Sequence, residues 1–361
     1  MQKSTRLRVG AVAVLVTAGF SLVGIVPANA DPVTPPYPGL VGVGSDTTQD
    51  VIAGLATAIP AIGSYDAFTT TGSMIKVTSA GPSFLRPNGS TEGVKALSAA
   101  AQGTAYSSVP LPLDEIDFAR SSSGASGTGT VLTWIPFATD ALGMAVHAAS
   151  EWPRDIPLGS AAGDSATNQA FTLRNIYRGT VTSYSDSNFE PVIINPLLPQ
   201  TGSGTRKFWV ETVLGLTDST VVGSNLNNTL QENNGTFVTG LGDIVPFSVA
   251  SYISQANHAA IASASLAPVT ERRGSIALVN VGSTKPIAVE AGKTVLNTSY
   301  LPALKRTVYN VVRTSRLADT DIAATFVGAT SAVCANPVII KAYGFGTTTN
   351  CGATTIRGSY K

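Results

Sequence analysis

Four times along this chain, a short apolar run gives way to a turn of Gly, Ser and Thr or other polar residues, and helical patterns follow. Leu40–Val43 reads as a strand, Gly44-Ser45-Asp46-Thr47 as its turn and Thr48–Ile59 as a helix. Ile75–Val77 is the next strand, and Gly89-Ser90-Thr91 opens a helix over Thr91–Ala101. Ile116–Ala119 ends in Arg120-Ser121-Ser122-Ser123, the start of a polar stretch reaching Thr130. Val192–Ile194 leads to Gly202-Ser203-Gly204-Thr205 and a helix over Arg206–Leu214. Strands alternating with helices demand a parallel pairing, because each helix carries the chain back over the sheet before the next strand begins. The expected class is therefore α/β. In such sheets ligands lie beyond the C-terminal strand ends, where the helices start.

Those turns carry the chemistry. A helix N-terminus presents unpaired N–H groups and the positive end of the helix dipole. Glycine lets backbone approach a ligand, and hydroxyls add donors, so several converging turns of this type form an oxyanion cradle. Simple N-capping explains any one of them, since Ser and Thr are preferred caps in any case. Four in one chain, each after a strand, point to a shared site.

The first residues set the compartment. Lys3, Arg6 and Arg8 precede an apolar run from Val9 to Val26, and Ala28-Asn29-Ala30 offers a cleavage site before Asp31. This is the layout of a secretory signal peptide, cut after Ala30. A retained membrane anchor is the alternative, disfavoured by Gly19 and Gly24 within the run. The expected product is a secreted or periplasmic protein with no stable membrane insertion. Losing those three basic residues from 23 leaves 20 against 22 acidic ones, with no basic stripe for nucleic acid. Asp31–Gly39 is a Pro-rich leader. Cys334 and Cys351 stand alone near the C-terminus and are expected to pair as a disulfide in an oxidising compartment. A metal site is the weaker alternative, for want of nearby His.

Five segments in order resemble the phosphate-binding proteins of bacterial phosphate ABC transporters, over roughly Leu40 to Ile253. Gly42-Val43-Gly44-Ser45-Asp46-Thr47 is similar to that family's first loop. Gly89-Ser90-Thr91-Glu92-Gly93-Val94-Lys95 resembles its Gly-Ser-Ser-Gly-Gly-Val-Lys helix start, and Ile116-Asp117-Phe118-Ala119 its Asp-Phe-Gly strand end. Leu173 to Gly179, continuing through Tyr184, resembles its Ile-Tyr-X-Gly segment, and Ser203-Gly204-Thr205 its Ser-Gly-Thr oxyanion loop. The resemblance implies a type II periplasmic-binding-protein fold: two α/β lobes, mixed but mostly parallel sheets with helices on both faces, closing on a ligand. The lobes would be residues 40–130 with 253–361, and residues 131–252, crossing near Val131–Phe137 and again near Pro246–Tyr252. It also implies a small anion, phosphate first, as the ligand, an ABC permease as partner and a monomeric working state.

The chain departs from the family at two anchors. The family's Arg falls at Pro199, and its Asp, which accepts the proton of hydrogen phosphate, falls at Ser122. Arg120 and Arg206 are then the candidate cations and Asp46 the candidate acceptor; the alternative has Asp46 capping a helix and both Arg facing solvent. The full candidate set is Ser45, Asp46, Thr47, Ser90, Arg120, Ser121, Ser122, Ser203, Gly204, Thr205 and Arg206. No catalytic residue, cofactor or metal is expected. His147 and His258 lack acidic or Cys partners in sequence, and no Gly-X-Ser-X-Gly elbow is present. Two other readings stay open: a same-fold binder of another solute, and a secreted interaction protein without a transport role.

Overall fold

The computed structural model describes residues 31–32, 34–67, 72–125, 127–163 and 169–361. The expected signal segment lies outside them. Strand Leu40–Gly44 runs between Ile62–Ser64 and Phe118–Ser121 and is parallel to both. All five of its residues are buried, which is why its sequence is an unbroken run of Leu, Val and Gly rather than an alternation with polar residues. Its side chains still alternate between faces. Leu40 packs with Val51, Ile52 and Leu55 of helix Gln49–Ala56, while Val41 and Val43 pack with Val94 and Leu97 of helix Ser90–Gln102.

Beyond Phe118–Ser121 the sheet turns antiparallel, first to Lys305–Arg313 and then to the 16-residue strand Leu132–His147. Leu132–Ala141 pairs with Lys305–Arg313, and Leu142–Val146 pairs with Asp243–Ser248. Met144–His147 also pairs with Ile276–Val279, and Leu132–Trp134 with Ile356–Gly358. The register with Lys305–Arg313 shifts between Val308 and Tyr309, opposite Pro136–Ala138. Pro136 has no N–H for a ladder, and a bulge is where a strand tolerates it. Asn195–Pro196, parallel to Asp243–Ser248, closes the far end. The sheet is thus mixed. Its parallel pairings sit toward the ends, because the long central strand meets neighbours that return against it.

Two expected strands fall outside this sheet. Pro191–Ile193 forms a hairpin with Ser183–Ser185, and Met74–Ile75 one with Phe84–Leu85. Ile193 and Met74 are exposed, so neither run has the two buried faces that a central position needs. The strand that leads to the Gly202 turn is Asn195–Pro196. The helix after that turn is α-helical only over Gly204–Lys207 and widens to a π-helix over Phe208–Val213.

A large apolar cluster gathers Leu142, Met144, Trp152, Tyr177, Trp209 and Ile244 with Val279, Tyr300 and Leu304. Cys334 and Cys351 are bonded, 17 residues apart in sequence. The leader is held down at Asp31, whose carboxylate accepts from Arg86 Nη1 and Nη2 at 2.9 and 2.7 Å. Among the described residues no helix is long and apolar enough to cross a membrane.

Candidate ligand site

The four turns meet. Gly44 ends its strand at φ +112°, where a Cβ would lie 2.8 Å from the Arg120 carbonyl oxygen and 3.0 Å from Gly93 Cα. Only glycine fits, by conformation and by space, so the first turn and the helix of the second touch backbone to backbone. Ser45 N donates to Arg120 O at 3.1 Å, and Thr91 N to Gly202 O at 3.1 Å. Ser90 Oγ accepts from Ser122 N at 2.9 Å. A Cβ on Gly204 would stand 2.5 Å from Ser122 Oγ and 2.6 Å from Ser90 Oγ, so the fourth turn also needs its glycine.

Between the first and fourth turns lies a residue that no motif marked. Glu232, fully buried, accepts on Oε1 from Thr47 Oγ1 and Thr205 Oγ1, both at 2.7 Å, and on Oε2 from Ser203 Oγ at 2.9 Å. Ser203 Oγ also accepts from Thr205 N and Arg206 N at 3.1 Å each, the geometry of an N-cap. Capping and site chemistry are therefore the same hydroxyl in two roles. Asp46 is buried beside Glu232, and neither of its carboxyl oxygens has a hydrogen-bond partner among the described residues. Burial, with the Glu232 carboxylate alongside, holds the Asp46 carboxyl well above the usual carboxylate range. One of the two acids thus keeps a proton where both could not ionise without repulsion.

The second unmarked residue is Arg306. Its Nη2 lies 2.8 Å from Asp140 Oδ2 and 3.4 Å from Thr47 Oγ1, in an ion pair almost wholly out of solvent. Asp140 in turn accepts from Ser248 Oγ and Ala250 N at 3.1 Å each. A buried pair of this kind persists only when its remaining hydrogen-bonding capacity is met. Here the acid is well supplied, while Arg306 Nη1 has no partner among the described residues. Phe208 lies under the guanidinium, 5.7 Å from ring centre to Cζ.

The candidate cations sit otherwise. Arg120 is fully buried, but its guanidinium is consumed by the first turn and its flank. It donates to the carbonyls of Gly42, Gly44, Ser45 and Tyr65 and to Ser64 Oγ, at 2.7 to 3.2 Å. Those five contacts use all five of its N–H groups, so Arg120 shapes the turn and has no donor left for a ligand. Burial pushes its pKa down to about 10 against the pull of Asp66, Asp31 and Asp46. Arg206 Nε donates to Asp218 Oδ1 at 3.0 Å and Nη1 to the Pro199 carbonyl at 3.2 Å, away from Glu232. Ser121 Oγ donates to Ser123 O within its own turn. Ser45, Asp46, Thr47, Ser90, Ser122, Ser203, Gly204 and Thr205 lie on turns that the fold brings against one another.

A family model described as a PBP superfamily domain matches residues 29–332, which spans all four turns, Glu232 and Arg306. The chain belongs to the PBP superfamily. The mixed α/β sheet with helices on both faces is the architecture expected of its type II fold. No curated relative matches the sequence. Among solved structures, the PBP chain is similar to an ABC-type phosphate transport receptor from Vibrio cholerae, at 17% identity and TM-score 0.46, covering 86% of this chain and 100% of that one. It is also similar to a phosphate-binding protein from Stenotrophomonas maltophilia, at 14% identity and TM-score 0.41, covering 86% of this chain and 91% of that one.

Proposed function

We propose that this PBP-superfamily chain is an exported binding protein that captures a small oxyanion, phosphate first, between two lobes, for delivery to an ABC transporter. One observation carries the reading: hydroxyls from two turns far apart in sequence, Thr47 and the pair Ser203 and Thr205, converge on a single pair of carboxylate oxygens. A site that already grips a carboxylate by its hydroxyls is shaped for an oxyanion, because both present adjacent acceptor oxygens carrying negative charge. The role is binding and not catalysis. The sequence-based division puts residues 40–130 with 253–361 in one lobe and residues 131–252 in the other. The strand Ile276–Val281 pairs with the central strand beside Asp243–Ser248, which favours a later return crossing, near Lys305. The signal-peptide layout of residues 1–30 supports export.

Calorimetric titration with phosphate, sulfate, arsenate and small organic solutes tests the reading. Thr205→Val keeps the shape and removes one donor, and should weaken the preferred anion by about 1–3 kcal/mol. Equal binding by a variant that melts like the wild type would take Thr205 out of the site. A secreted protein that kept the fold without carrying solute is the second reading. It is favoured by the fact that the cradle's hydroxyls already have an acceptor within the chain.

A further inference from the structure

The donors that face Glu232 are those the sequence assigned to an anion. Thr47, Ser203 and Thr205 all give their hydroxyl protons to its carboxylate, and each of the four side chains is buried. The segment that brings Glu232 here is fastened on both sides. Asn233 Nδ2 donates to the Asp46 carbonyl at 3.1 Å, in the first turn, and Gln231 Nε2 to Asn88 Oδ1 at 2.9 Å, beside the second. From the opposite side, Ser248 N donates to the Glu232 carbonyl at 3.0 Å and Gln255 Nε2 to the Asn233 carbonyl at 2.7 Å. Residues 231–233 therefore clasp the turns that carry Asp46 and Asn88 to the strand and helix that carry Ser248 and Gln255.

We infer that Glu232 is a tethered occupant of the cradle: its carboxylate holds the position of a small oxyanion, and an anion enters only after residues 231–233 withdraw. The inference rests on the oxyanion reading of the site. A buried carboxylate held by three hydroxyls is not a neutral bystander to a second anion. The two would compete for the same protons and repel each other at short range, so each excludes the other. A tethered competitor of this kind lowers the apparent affinity by the fraction of time that it is in place. It also keeps the clasp closed when no anion is present.

Glu232→Ala removes the competitor and leaves its donors in place. By calorimetry this variant should bind inorganic phosphate at least ten-fold more tightly than the wild type. Thermal melting in sodium formate supplies a second reading: the free carboxylate should raise the melting temperature of Glu232→Ala and leave the wild type unmoved. If Glu232→Ala does not fold, Glu232→Ser takes its place in both measurements, since it also vacates the cradle and removes the charge. Wild-type binding of phosphate as tight as that of the folded variant would overturn the inference and leave the oxyanion reading standing. A formate response without phosphate binding in either protein would support the occupant and defeat the phosphate reading. No response of the variant to phosphate or to formate would overturn both.

Discussion

Asp46→Asn should reshape the pH dependence of stability. In the unfolded chain this carboxyl titrates near its ordinary value of 3.8, while in the fold burial first, and then the neighbouring Glu232 carboxylate, raise it well above that. Above about pH 4 the unfolded state has therefore released a proton that the native state still holds. Stability linked to Asp46 is whole below the unfolded pKa and is lost as pH rises toward the folded one. One proton held by the native state alone makes stability fall by up to about 1.4 kcal/mol per pH unit, a loss that begins above the unfolded value and continues until the buried carboxyl ionises. Asn has nearly the same size, cannot ionise, and needs no proton to sit beside Glu232. The unfolding free energy of Asp46→Asn relative to wild type should thus rise steadily with pH over that interval. Urea denaturation of both proteins at three pH values measures it. Parallel profiles would show that Asp46 is ionised in the fold and would refute the account of a protonated Asp46 beside Glu232.

Two further predictions concern the frame of the site. Arg120→Met leaves four carbonyls and the Ser64 hydroxyl without their donor in a buried place, which should destabilise the fold by more than about 3 kcal/mol in chemical denaturation; a loss below about 1 kcal/mol would mean that water replaces the guanidinium. The native protein should show no free thiol until reduced, and breaking the Cys334–Cys351 bond should cost about 3 kcal/mol on the chain-entropy view, read as a fall in melting temperature alongside a thiol count by intact mass.

What the sequence made legible was local. The strand Leu40–Gly44 and its turn are written in consecutive residues, because an unbroken apolar run ending in a glycine at positive φ has few other uses. The same holds for helix Ser90–Gln102, whose Gly93 is explained only by contact with Gly44. The long strand Leu132–His147 carries no such mark. Buried at nearly every position, it lacks the polar alternation that identifies a half-exposed strand. Pro136, in its middle, argues against a strand until the bulge opposite is seen. Apolar periodicity also misplaced Val192, whose strand pairs only in a surface hairpin.

The charges were misread for a related reason, and the misreading says something about how such a site is built. An arginine within a polar turn, like Arg120, seems placed to meet a ligand. Yet a turn of successive inward carbonyls is itself a concentrated acceptor, and a buried guanidinium is the side chain best able to satisfy it. The nearer the arginine is to the turn in the fold, the more of its donors the backbone takes. A cation that remains close to the hydroxyls has to come from an element that does not need it for its own carbonyls. Arg306 does: it lies in a strand whose backbone is already paired, 259 residues away in sequence from Thr47, which it approaches. Glu232 follows the same logic in the opposite sign. Its partners are three hydroxyls on two separate turns, and no spacing within Gln231-Glu232-Asn233 could announce them. The donors of the site were readable because they are hydroxyl residues at or beside helix starts. The charges that decide what those donors hold were not, because their partners are set by the tertiary fold alone.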